Sequence, residues 1–333
     1  MADLIARVTA WALTLKPVRA FLLYSEHRGP MLADSVTYRA LFSVFAGVLL
    51  GFSVAGLVLA GNPQALAALV DTVDAAIPGL VGENGIIDPS SIQIEAGLTV
   101  TTILSIIGLV GAAIGAIGAL RAALRALADK LTDDVFFVWV LLRNLLLAVG
   151  IGAAFLAAAA ITFFANAGIG ILSDWLGTSG EGPLTVIGTR AVSILIVFVL
   201  DAAAIAVLFR ALSGLKPSLR TLLPGALLGA VGLTVLQQLS SLFVAGAGAN
   251  PLLATFASLI ALLLWFNLSA QVILIASAYI ITSVDEEQDR VRARYGASTF
   301  AQRRVRRAEE AVRVATDELA VAREVEEKER TNA

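Results

Sequence analysis

Residues 222–283 read LLPGALLGAVGLTVLQQLSSLFVAGAGANPLLATFASLIALLLWFNLSAQVILIASAYIITS, with no Lys, Arg, Asp, Glu or His anywhere in the stretch. A membrane-spanning helix needs about 20 mostly apolar residues. This stretch holds two, separated by the small-residue break Ala245–Pro251. An aqueous fold rarely hides so long an uncharged segment, because buried helices of soluble domains carry charges on their solvent faces.

The remainder of the chain agrees. Of 333 residues, 58% are hydrophobic and only 15% charged, with a mean hydropathy of +0.85. Soluble domains carry about 25% charged residues. The fold class expected is all-α, a polytopic membrane protein with six transmembrane helices. The spans fall at about 36–60, 98–120, 136–165, 187–208, 222–245 and 252–282. Residues 1–30 form an N-terminal segment, 31–283 the six-span membrane domain, and 284–333 a charged helical tail.

Two amphipathic segments flank the spans. In the first, Leu4, Ile5, Val8, Trp11, Ala12 and Leu15 recur at helical spacing. It reads either as a helix lying on the membrane surface or as one packed on the ends of the bundle. In the second, Leu66, Leu69, Val70, Val73, Ile77 and Leu80 form a stripe that stops near Pro78–Gly79, as an interfacial helix would. The segment before Pro17 has no continuous apolar run, so no cleavable signal peptide is expected.

Charge asymmetry sets the orientation. Loops 61–97, 166–186 and 245–251 contain no Lys or Arg, whereas the N-terminal segment, loops 121–134 and 209–221, and the tail hold nearly all of them. By the positive-inside rule both termini are cytoplasmic. The tail carries nearly half of all charges, and Val305, Ala308, Val312, Ala315, Leu319 and Ala322 follow a 3-4 spacing within it. That seam, weakened by its alanines, would serve self-association or a protein partner. The other reading is a solvated charged helix.

Charges inside spans are costly and mark candidate sites. Arg39, Arg143, Arg190 and Asp201 stand out. At 1.5 Å per residue, Arg143 and Asp201 lie at matching depths, roughly 10 Å from the same end of their spans. An Asp201–Arg143 pair is therefore expected, with Arg39 a second, shallower cation. Such a pair would be either a structural lock between helices or part of a polar notch for an anionic headgroup. Asn267 and Gln271, four apart on one helical face, and Gln237 and Gln238 add neutral polarity. Asn267 and Gln271 suit interhelical hydrogen bonding or the lining of the same notch.

Small residues recur on the second span, where Gly111 and Gly115 form a GxxxG and Gly108 and Gly118 extend the ridge. Helix packing is the plain reading. Enzyme signatures are missing: the chain has no cysteine, one histidine (His27), no phosphate-binding Gly-rich loop and no Ser-nucleophile elbow. No enzyme activity, cofactor, metal or nucleic-acid partner is expected; the partners expected are membrane lipids, anionic ones above all.

Pro224–Val231 (PGALLGAV) and Thr255–Ile280 (TFASLIALLLWFNLSAQVILIASAYI) resemble the C-terminal signature of the YihY/BrkB family of bacterial inner-membrane proteins, and are most similar to its YhjD-like branch. Asp34–Gly51 resembles that family's first span, and FRAL at Phe209–Leu212 also fits. The chain departs from the family pattern at Phe256–Leu259, where Tyr-Gly-Ser-Leu is common, and at Ser277–Tyr279, where Gly-Ala-Glu is common. A role resting on that glutamate does not carry over. The resemblance implies six spans, both ends cytoplasmic, in the bacterial cytoplasmic membrane. For function it implies movement of lipids or lipid-linked saccharides across or out of that membrane. It also brings an old label, ribonuclease BN, for which these residues offer no metal-assisted chemistry. The expected function is translocation or export of an anionic lipid. The alternatives are a scaffold acting through its tail and a small-solute or ion channel.

Overall fold

The computed structural model describes residues 2–58, 100–130, 139–147, 183–248, 254–288 and 299–332, with a few isolated positions between them. Among the described residues every regular element is a helix. They are α1 (Ala2–Thr14), α2 (Lys16–Glu26), α3 (Gly29–Val58), α4 (Val100–Leu127), α5 (Pro183–Leu212), α6 (Leu219–Gly248), α7 (Ala254–Gln288) and α8 (Phe300–Asn332). Residues 139–147 are also helical. The expected interfacial helix near 66–80, the side chain of Arg190 and most of the span expected at 136–165 lie outside the described residues.

Three of these helices contain windows long and apolar enough to cross a membrane: Ile194–Leu212 in α5, Leu219–Leu239 in α6 and Leu259–Glu287 in α7. Their outer faces carry bare apolar side chains. Leu195, Val199 and Val207 of α5 are exposed, as are Leu223, Leu227, Val231 and Val235 of α6. A monomer in water rarely presents so large a contiguous apolar patch. Lipid tails are the solvent that makes such a surface stable.

α7 is the hub. It packs against α6, α3 and α2; α6 continues to α5, and α3 to α4. The seam between α6 and α7 is made by glycines. A Cβ built on Gly225 would lie 2.3 Å from Ile280 Cγ1, and one on Gly229 would lie 2.8 Å from the Cβ of Ala276. These backbones approach so closely because a GxxxG step, Gly225 to Gly229, meets the alanine and serine face of α7. Leu274, Ala276, Ala278 and Ile280 are fully buried there.

Helix ends depart from the expected boundaries for local reasons. α4 runs on past residue 120 to Leu127, because Leu120, Leu124 and Leu127 continue its buried stripe. It stops where Asp129 takes a left-handed φ of 51° and the Lys130 N–H donates to the Arg125 carbonyl at 2.9 Å. That is a Schellman-type end. α7 likewise continues past 282 to Gln288.

α2 is the clearest addition to the sequence reading. It does not lie alone at an interface but packs along α7, burying Arg19, Ala20 and Tyr24. Glu286 of α7 receives Lys16 Nζ at 2.8 Å and also bonds Arg19. α1 keeps the surface-like character, with Leu4, Val8 and Trp11 exposed. The tail is not wholly detached: Arg303 Nε lies 2.7 Å from Glu26 Oε1, and Arg307 Nη1 lies 3.8 Å from Glu26 Oε2. Val305, Val312 and Leu319 are exposed, so the 3-4 seam has no apolar cover among the described residues.

His27 ties the α2–α3 corner to the end of α4. Nδ1 lies 2.9 Å from the Leu23 carbonyl and Nε2 lies 3.0 Å from Asp129 Oδ1. Both partners are acceptors, and only the imidazolium can donate to both. Burial pushes the His27 pKa down and Arg307 adds to that. The Asp129 carboxylate and the Leu23 carbonyl outweigh them, so it ends above its ordinary value. A raised folded pKa stabilises the fold fully below the unfolded value of about 6.5 and loses that contribution as pH rises through the folded value. Thermal stability in detergent is therefore expected to fall as pH rises above about 6.5, by under about 1 kcal/mol because Asp129 is half-exposed. His27→Gln should flatten that part of the profile; an unchanged slope would remove His27 as its source.

Candidate functional site

The site builds up from the face that α4 presents to α3 and to residues 139–147. Gly115 leaves room beside Arg39 of α3: a Cβ there would be 3.9 Å from Arg39 Nη1. Gly118 does the same for Asn144, whose Nδ2 would be 3.7 Å from such a Cβ. One turn further, Arg121 reaches the same region and is buried, only 6% exposed. Gly115 and Gly118 thus make room for the polar ends of side chains.

Arg121 and Arg143 line one cavity of about 210 Å³ together with Trp139 and Val140. Two guanidinium groups, an indole and an aliphatic wall line a single space. Guanidinium forks bind phosphate and carboxylate bidentately. Trp139 is exposed, as an indole at a membrane–water boundary would be. Arg121 lies roughly 9 Å inside the end of α4, counting 1.5 Å per residue. The arrangement can attract and hold an anionic group while its apolar part stays against lipid.

The expected site residues separate into three groups. Arg143 joins this cavity, and Arg39 reaches from α3 to Gly115 of α4. Asp201 does not pair with Arg143. Its partner is Gln237 of α6, whose Nε2 donates to Asp201 Oδ2 at 3.2 Å. α5 turns Asp201 toward α6, while Arg143 lies against α4. Asn267 and Gln271 form a third group: Gln271 Nε2 donates to Asn267 Oδ1 at 2.6 Å, and Asn267 Nδ2 donates to Asp34 Oδ1 at 2.7 Å. They stitch α7 to α3 rather than line the cavity. Asp34 also adds to the upward push that burial gives the Tyr24 phenol, whose pKa rises to about 12.

Arg121 is the residue that sequence reading missed. It stood at the expected start of a loop. The signal that would have found it is the Leu120–Leu124–Leu127 stripe, which continues the helix through it.

Fold and site together define an all-helical membrane protein with a basic cavity next to its glycine ridge. The chain belongs to the virulence factor BrkB family, whose sequence model matches residues 20–298. No curated protein and no solved structure matches the chain.

Proposed function

We propose that this chain is a non-enzymatic transporter-like protein that helps an anionic lipid, or a lipid-linked anion, cross or leave the bacterial cytoplasmic membrane. The observation that carries the reading is the cavity shared by Arg121, Arg143, Trp139 and Val140. In this reading the chain has six spans, both termini face the cytoplasm, and the protein is most similar to the YhjD-like branch of its family. The basic ends of α4 and α5 and the basic start of α6 then meet anionic lipid headgroups, where each Lys or Arg contributes about 1 kcal/mol. The lipid phosphate enters between α4 and residues 139–147 and its acyl chains stay in the bilayer. Asp201–Gln237 ties α5 to α6, and Asp34–Asn267–Gln271 ties α3 to α7.

The test is leaflet exchange in proteoliposomes containing headgroup-labelled lipids. Exchange of phosphatidylglycerol well above the protein-free rate, with little acceleration of phosphatidylcholine, supports the reading. Equal acceleration of both, or of neither, contradicts it. A second reading is favoured by the exposed Val305, Val312 and Leu319 of α8: the tail recruits a protein partner or a second copy. Removing residues 300–333 separates the two, because a transporter core keeps its exchange and a scaffold loses its role.

A further inference from the structure

A second cavity, of about 260 Å³, lies where α6 begins and α7 ends. Lys16, Arg220, Thr221, Pro224, Glu286 and Glu287 are among the residues that line it. Their formal charges sum to zero, yet they are not all closed into pairs. Lys16 is occupied: Nζ is 2.8 Å from Glu286 Oε2 and 5.6 Å from the centre of the Tyr279 ring. Glu287 has hydroxyl partners instead. Thr221 Oγ1 donates to Oε2 at 2.6 Å, and Ser218 Oγ donates to Oε1 at 3.3 Å. Arg220 stands next to Thr221 on the same cavity, and among the described residues it has no ion-pair partner.

Pro224 opens one more acceptor. Proline has no N–H, so the helical bond to the carbonyl four residues earlier is not made. That carbonyl belongs to Arg220. The cavity therefore has a guanidinium donor and a carboxylate acceptor among its lining residues, and the unbonded Arg220 carbonyl is a further acceptor on the turn of α6 that carries Arg220 and Thr221. A plain anion would meet Glu287 and a plain cation would meet Arg220. A group carrying both charges satisfies both. The acceptors also want N–H donors, which a primary ammonium has and a trimethylammonium lacks. The apolar windows of α6 and α7, Leu219–Leu239 and Leu259–Glu287, begin and end here, so the cavity sits at the apolar–aqueous boundary.

We infer that this cavity binds a phosphate ester bearing a primary ammonium, as found in an aminophospholipid headgroup or in free phosphoethanolamine. The phosphate lies on Arg220; the ammonium lies on Glu287 and the Arg220 carbonyl. This site is separate from the Arg121–Arg143 cavity and does not depend on its role.

Calorimetric titration of the detergent-purified full chain tests the inference. The ligands are short-chain phosphatidylethanolamine, phosphatidylcholine and phosphatidylglycerol, free phosphoethanolamine, and inorganic phosphate. Titrating the Arg143→Gln chain alongside removes phosphatidylglycerol bound at the other cavity. Phosphatidylethanolamine is expected to bind at least tenfold tighter than the other two lipids in that background. Tighter binding of the lipid than of phosphoethanolamine assigns a membrane source; equal binding assigns a soluble one, and both support the chemistry. Glu287→Gln should erase the ethanolamine-over-glycerol preference, and Arg220→Gln should weaken phosphatidylethanolamine at least tenfold. Equal affinity for the three lipids, or inorganic phosphate matching phosphoethanolamine, overturns the inference whether or not the variants fold.

Discussion

Replacing Arg121 and Arg143 together with glutamine is expected to slow exchange of an anionic phospholipid by at least roughly tenfold, with exchange of a neutral lipid unchanged. A hydrogen bond to a charged group contributes about 1.5–3 kcal/mol, and about 1.4 kcal/mol is a factor of ten. Both guanidinium groups line the same cavity, so each loss falls on the same phosphate. Arg143→Gln alone should give a smaller effect in the same direction and makes the better control for folding, because Arg143 is exposed while Arg121 is buried. The readout is the ratio of anionic to neutral exchange. A variant that lowered both rates equally would mark a general loss of structure. A variant that lowered neither would remove the arginines from the mechanism.

Gly225→Val is expected to damage the fold itself. Its Cβ would stand 2.3 Å from Ile280 Cγ1 and 3.2 Å from the Ala276 carbonyl oxygen. Ile280 is fully buried and the carbonyl is backbone, so neither moves aside without separating α6 from α7. Overpacking of this kind costs about 1–3 kcal/mol, and the small gain in helix propensity over glycine does not offset it. The measurement is the melting temperature in detergent, which should drop by several degrees. Gly111→Ala should leave it nearly unchanged, because a Cβ there meets nothing within 4 Å. Equal stability of the Gly225 variant and the parent would mean that the seam is looser than the glycines imply.

Much of this architecture was legible along the chain. The uncharged run from Leu222 to Ser283 announced two helices, and α6 and α7 occupy it. Asn267 and Gln271, read as one polar face, do share a hydrogen bond and reach across to another helix. What failed was pairing. Arg143 and Asp201 were matched by depth, which is a coordinate along one helix. Which helices are neighbours, and which way each is rotated, depends on packing between distant segments. Here the glycines of α6 draw it against α7 and α5, and that places Gln237 beside Asp201. The same glycines sat inside Pro224–Val231, where they were read as a family signature and not as the seam they form. Arg121 was hidden by a boundary set about two turns too early.

The most direct test places a photoreactive amino acid at position 139, in the wall of the Arg121–Arg143 cavity. After irradiation in native membranes, the adducts are identified by mass spectrometry. Anionic phospholipid adducts should be enriched several-fold over their share of the membrane, and the enrichment should vanish when Arg121 and Arg143 are both glutamine. Adducts that mirror the bulk lipid composition, or an enrichment that survives the double substitution, would contradict an anion-binding role for this cavity.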